Sequence, residues 1–211
     1  MNRPDSAVGR LMATEAGHRP RADAQRNVER IVVAARTAIA EIGVDAGAHE
    51  IARRAGVGVG TFYRRVPSRE ALLEAVLDEV LTEIADVADR SLAAPEPWAG
   101  LCEFAAAFVR LRAESCGIGE ALGGACGDAL DQSLAGLRER IRLLVERAQA
   151  AGVMRTDLPW QDVPFLLAAA ATGARTLGMR AGAQQWERNL RIILDGLRTT
   201  EPAPLPGTPP G

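Results

Sequence analysis

"EIARRAGVGVGTFYRRVPSREALLEAVL", residues 50–77, is the stretch whose punctuation decides the fold. Gly56, Gly58 and Gly60 alternate with valines, two aromatics follow, and two arginines come next. A dinucleotide loop and a helix-turn-helix both use glycine here. The loop requires G-x-G-x-x-G after a strand, with an acidic residue about 20 positions later. This chain has G-x-G-x-G instead. The "AHEIARRA" before it has helical rather than alternating apolar spacing. The remaining reading is two short helices joined at a glycine, a helix-turn-helix.

Each residue type then has a physical task. Gly56 makes the turn, because a residue without Cβ accepts positive φ. Ile51, Ala52 and Ala55 face inward from the first helix, Val57 fills the space under the turn, and Phe62 is the inward residue of the second. Val59, Thr61, Tyr63, Arg64 and Arg65 are expected on the opposite face. Pro67 stops that helix and Ser68 caps the next. Such a helix fits a major groove about 12 Å wide.

Outward from this motif the pattern is helical throughout. Val28, Ile31, Val32, Ala35, Ile39 and Ile42 predict a helix over 25–42, ended by Gly43. Leu73, Val76, Leu77, Val80, Leu81, Ile84 and Val87 carry a long helix to about Ser91. Further helices are expected over 98–113, 119–124, 128–151, 160–179 and 184–198. Residues 1–24 are expected to form a mobile arm. The tail "TTEPAPLPGTPPG", 199–211, is expected to be disordered from its proline and glycine content. The predicted architecture is all-α. A helix-turn-helix DNA-binding domain over 25–72 is joined by a long helix to a helical ligand-binding and dimerisation domain over 73–198.

Charge supports the assignment. The 211 residues carry a formal net charge of -2, and every one of the 25 basic residues is arginine. Residues 1–72 hold 12 arginines against 8 acidic residues, and the rest hold 13 against 19. A basic front places nucleic-acid contact in the first third. Cys102, Cys116 and Cys126 fit neither a disulfide framework nor zinc spacing. No metal site, cofactor or catalytic residue is expected, and no apolar run reaches membrane-spanning length. The N-terminus has no apolar segment of a secretory signal, so a cytoplasmic protein is expected.

The residues of 50–77 resemble the DNA-binding domain of the TetR family of bacterial transcriptional repressors. The resemblance runs over about 26–75 and is carried by Ile51-Ala52, Ala55-Gly56-Val57, Gly60-Thr61-Phe62-Tyr63, Pro67-Ser68 and Arg69-Glu70-Ala71-Leu72. It implies that Thr61 and Tyr63 bond phosphates. Arg65 stands where the family usually has a phosphate-facing histidine, and Arg69 where a lysine meets the backbone. Val59, with Gly58 and Arg64, would lie near base edges. Three positions depart from the pattern: Gly58 replaces a serine, Val66 an aromatic, and Ala48 a larger apolar residue. An N-cap glycine in place of serine costs only about a few tenths of a kcal/mol.

The C-terminal half is expected to sense and to dimerise. Dimers read half-sites about 34–36 Å apart. The helices over 160–179 and 184–198 offer Ala168–Ala171, Gly173, Ala174 and Gly178 for close approach, then Trp186, Leu190, Ile193 and Leu197. Trp98, Leu101, Phe104, Phe108, Leu122, Ile141 and Phe165 are candidates for an apolar effector pocket. For each of them, core packing and ligand contact both stay open. The expected partners are double-stranded DNA, an unidentified small-molecule effector and a second copy of the chain. A helical enzyme and a non-DNA-binding adaptor are the competing functions. The only histidines, His18 and His49, offer the enzyme reading no nucleophile–base pair.

Overall fold

The computed structural model describes Leu11 and residues 21–114, 130–171, 175–198 and 201–210. The segment expected as a helix over 119–124, Leu122, His18, Cys116 and Cys126 lie outside the described residues, as does most of the N-terminal arm. Leu11 is helical and buried. The chain divides into two compact units, 1–82 with 115–133, and 83–114 with 134–211.

In the first unit, α1 (Arg21–Ile42) begins before the expected Gln25. Its buried stripe is Val28, Ile31, Val32, Ala35 and Ile39. Ile42, expected on that stripe, is 55% exposed. It is the last residue before Gly43, whose φ of 104° turns the chain away. α2 (Ala48–Ala55) buries Ile51, Ala52 and Ala55, as its spacing requires. α3 (Val59–Arg65) follows across the Gly56 turn. α4 (Arg69–Ala93) starts with the Ser68 hydroxyl accepting the Ala71 amide at 3.1 Å, an N-cap bond. The division between units falls within α4, after Thr82. Leu72, Ala75, Val76, Leu77, Val80 and Leu81 are all buried, so the first half of the helix has its own core to fill.

The second unit contains the remainder of α4, α5 (Pro97–Glu114), most of α6 (Asp131–Ala150), α7 (Asp162–Ala170) and α8 (Gln185–Leu197). α5, α7 and α8 pack on one another. Leu101, Phe104, Ala105 and Val109 of α5 are fully buried, with Val163 and Leu167 of α7 and Leu190, Leu194 and Leu197 of α8. Gly100 lies where any Cβ would stand 2.2 Å from the Ser91 carbonyl oxygen, so only glycine lets α5 approach so closely. Arg147 donates to the Leu92 carbonyl at 2.7 Å and to the Ala94 carbonyl. It thereby satisfies the C-terminal end of α4 with a cation. The neutral Asn189 amide satisfies the end of α7, Nδ2 donating to the Ala170 carbonyl at 3.1 Å.

The expected helix over 160–179 is corrected. α7 ends at Ala170, and residues 175–180 form a hairpin of β1 (Arg175–Thr176) and β2 (Met179–Arg180), paired antiparallel. Its two turn residues, Leu177 and Gly178, have φ of 50° and 79°. Positive φ at both central positions suits the right-handed twist of a two-residue hairpin. Residues 201–210 contain no helix or strand. Arg155 donates to the Ala203 carbonyl at 3.1 Å.

Candidate nucleic-acid interface

The turn is built by a short set of backbone bonds. Gly56 has φ 62° and ψ 37°, the left-handed conformation. Its amide donates to the Arg53 carbonyl at 3.2 Å, and the Val57 amide to the Ala52 carbonyl at 3.1 Å. Together they close α2 as glycine-terminated helices do. Arg30 of α1 donates through Nη2 to the Gly56 carbonyl at 3.2 Å, and a Cβ on Gly56 would stand 2.5 Å from that nitrogen. The left-handed conformation is what selects glycine, since the flexible Arg30 side chain can move away from a Cβ. Gly58 is extended, φ −65° and ψ 144°, and caps α3 without a side chain. Its carbonyl accepts the Thr61 and Phe62 amides at 2.8 and 2.9 Å. A Cβ at Gly58 or Gly60 would meet no close obstacle, so neither glycine is needed for packing inside the unit.

α3 presents a narrow exposed face. Phe62 is 3% exposed and anchors it, while Tyr63 is 59% exposed and meets the Phe62 ring edge-on at 5.6 Å. Arg64 is exposed, and Val59 and Thr61 are half-buried. Arg65 is different: it is buried, together with Val66, and does not share the outward face with Tyr63 and Arg64. The spacing explains it, since 65 and 66 stand three and four residues after Phe62 and so lie on the same side of a helix. The expectation that Arg65 faces outward is corrected accordingly.

Arg69 opens α4 with only three residues separating it from the end of α3. Its Nη2 donates both to the Val44 carbonyl and to the Asp45 carboxylate, tying the α1–α2 loop to the start of α4. Arg53 and Arg54 are held by more carboxylate contacts. Glu50 accepts Arg53 Nε at 2.9 Å and Nη2 at 2.7 Å, and Arg54 Nε at 2.7 Å. Arg54 also reaches Glu41 at 2.7 Å. These hydrogen bonds pull the Glu50 carboxyl down to about 2. Arg53 and Arg54 therefore face carboxylates along a surface groove of about 870 Å³ between α1 and α2. The sequence reading missed Arg30 and Asp45. Both act across long separations in the chain, and no local pattern marks either.

The expected effector residues do not all converge. In the second unit Leu101, Phe104 and Ile141 are buried, and the Phe104 and Phe108 rings lie 6.0 Å apart. Trp98 is half-buried under the Arg198 guanidinium, 5.1 Å from its ring centre. Phe165 is 64% exposed and belongs instead to a surface groove of about 520 Å³, shared with Leu158, Leu166, Ile193, Leu197 and Leu205. Residue 165 lies on the side of α7 away from the buried Val163 and Leu167. Cys102 is half-buried, and burial raises its thiol pKa. Among the described residues no cluster of metal-ligating side chains is present, and no helix is long and apolar enough to cross a membrane.

Known proteins share this arrangement. Residues 31–76 match the family model of bacterial regulatory proteins of the tetR family, and residues 96–199 match the C-terminal domain of SbtR-like transcriptional regulators. A TetR transcriptional regulator from Streptomyces coelicolor is 32% identical, with 82% of this chain and 99% of that one covered and a TM-score of 0.60. A TetR regulatory protein from Mycobacterium vanbaalenii is 35% identical, with 85% and 99% covered and a TM-score of 0.62. The regulator FadR from Bacillus subtilis, solved with stearoyl-CoA, shares the fold at 17% identity, with 81% and 97% covered and a TM-score of 0.63. No functionally curated protein matches the chain. The turn geometry, both family models and the two relatives above 30% identity agree: the chain belongs to the TetR family of transcriptional regulators, with a helix-turn-helix DNA-binding domain and a helical C-terminal domain.

Proposed function

We propose that the protein is a repressor that binds a palindromic operator as a homodimer and leaves it when a small molecule occupies the C-terminal domain. The observation that carries this reading is the exposed face of α3, where Tyr63 and Arg64 project beside Thr61 and Val59 from a helix fixed by the buried Phe62. Thr61, Tyr63 and Arg69 hold backbone phosphates, and Val59, Gly58 and Arg64 read base edges. Phosphate contacts set register while base contacts specify sequence. Arg65 supports α3 from inside.

Dimerisation is supported by the apolar side chains left uncovered on α7 and α8. Phe165 is 64% and Ile192 71% exposed, while Leu190 and Leu197 already fill the protomer's own core. The effector reading rests on Trp98, Leu101, Phe104, Phe108 and Ile141. A ligand entering there displaces packed side chains, so it favours the protomer conformation that makes room. It shifts the balance only by its differential affinity for the two states. α4 belongs to the first unit up to Thr82 and to the second beyond it, which makes that helix the natural carrier of the change. The fold does not choose the effector, and the stearoyl-CoA of a neighbour at 17% identity belongs to that neighbour alone.

The test is a gel-shift titration with duplex DNA taken from beside the protein's own gene. Binding by a dimer, preferred over an arbitrary duplex and weakening steeply with salt, is the expected result. Equal affinity for both duplexes would remove the operator reading and leave only backbone contact.

A further inference from the structure

We infer that Asp45 is an internal competitor for the phosphate that Arg69 holds, and so sets how tightly the helix-turn-helix grips any duplex. The inference rests on the DNA-binding reading above and adds to it a residue on the opposite side of the contact. Arg69 is the first residue of α4, and its Nη2 is shared between the Val44 carbonyl and the Asp45 carboxylate. Among the described residues Nη1 and Nε make no hydrogen bond. One edge of the guanidinium is thus anchored and the other edge is open.

The two anchors are not equivalent. The Val44 carbonyl is a neutral dipole, which orients the guanidinium and leaves its charge. Asp45 carries a full negative charge, and its side chain is 89% exposed beside an Arg69 side chain that is 56% exposed. A phosphate approaching the open edge therefore meets an arginine whose charge is partly offset by its neighbour. Either the carboxylate stays and repels it, or the ion pair is broken. Both outcomes cost affinity without regard to base sequence, because the contact is with the backbone. An exposed ion pair contributes little to folding, so its presence at this place is not explained by stability. Elsewhere in the unit the paired arginines include Arg26 on α1 and Arg53 and Arg54 on α2, none of them at the start of α4.

Asp45→Asn keeps the size of the side chain and the Val44 anchor while removing the charge. The experiment uses the full chain and a labelled duplex of arbitrary sequence, with dissociation constants measured across a range of NaCl. Asp45→Asn should bind up to about fivefold tighter, the scale of an exposed ion pair. Its salt slope should steepen by up to about 0.9, one phosphate's worth of released counterion. Arg69→Ala should weaken binding and flatten the slope. The double variant should match Arg69→Ala alone. Far-UV circular dichroism of each variant confirms equal helix content.

The outcomes separate the two readings. If Arg69→Ala leaves affinity and slope unchanged, Arg69 meets no phosphate and both its assignment and the competition fall. If Arg69→Ala weakens binding but Asp45→Asn has no effect or weakens it, the phosphate contact stands and the competitor role is overturned. If Asp45→Asn tightens binding equally in the Arg69→Ala background, Asp45 acts as bulk charge and not through Arg69. That too overturns the inference.

Discussion

The helix-turn-helix and the α7–hairpin–α8 segment are both short elements joined by a tight turn, yet one is governed by punctuation and the other by volume. In the first, single residues with few alternatives decide the path. Gly56 is left-handed, and the Ser68 hydroxyl caps α4. In the second, a run of small apolar residues is compatible with helix well past the point where α7 stops at Ala170. α7 stops nonetheless at Ala170, with Ala171 already extended at φ −80° and ψ 106°, although alanine is the best helix former. The two regions should accordingly fail in different ways.

The largest effect is expected in the region governed by volume. Phe104 is 0% exposed on α5, packed beside Phe108. Phe104→Ala should cost about 3–5 kcal/mol, the usual toll of a fully buried aromatic, read from urea unfolding followed by circular dichroism. A cost below about 1 kcal/mol, the range of tolerated volume-conserving swaps, would mean that Phe104 lines open space. It would turn the α5 cluster from core into pocket. The punctuated region should respond to something much smaller. Gly56→Ala adds one methyl group, but places it on a left-handed backbone and 2.5 Å from Arg30 Nη2. The conformation costs about 1–2 kcal/mol. Arg30 swings away and its bond to the Gly56 carbonyl is lost. Operator affinity should fall with it, since the same turn aims α3. An unchanged unfolding midpoint would show that the turn tolerates a Cβ and that the comparison is drawn too sharply.

How much was legible follows from the same division. The order of helices from α1 to α4, the Gly56 turn, the Gly58 cap and the Ser68 cap could all be read, because each depends on one residue's backbone or hydroxyl. The exposure of Tyr63 and Arg64 followed from the position of Phe62. Arg65 was misplaced because residue type outweighed spacing: an arginine suggests a surface, while its place three residues after Phe62 specifies the interior. The Asp45–Arg69 and Arg30–Gly56 pairs were not legible, since each exists only once α1, α2 and α4 are packed. The apolar character of Phe165 fits either side of α7, and only the packed helix shows which side is covered. The hairpin was hidden for a conformational reason. Its first turn residue is Leu177, and a leucine at positive φ is rare enough that no pattern announces it.

The smallest effect, and the one that sharpens the comparison most, is expected at that turn. Leu177 is 92% exposed and Met179 66%, so the hairpin adds nothing to the core of its own protomer. Leu177→Ser should therefore leave the stability of an isolated protomer within about 0.5 kcal/mol, as for other surface changes. The left-handed backbone is no better suited to serine by shape, and its short polar side chain introduces no new buried group. The informative variable is protein concentration. An oligomer's unfolding midpoint rises with concentration, because association is linked to folding by mass action. If the hairpin stands clear of every interface, wild type and Leu177→Ser should give superimposable midpoints at each concentration. If a second copy covers Leu177, the variant should lose the concentration-dependent part of the midpoint and keep the rest. In the second case the dimer surface runs beyond Phe165 and Ile192 into the hairpin, and the end of α7 at Ala170 gains a purpose: it hands the chain to an element that meets the partner.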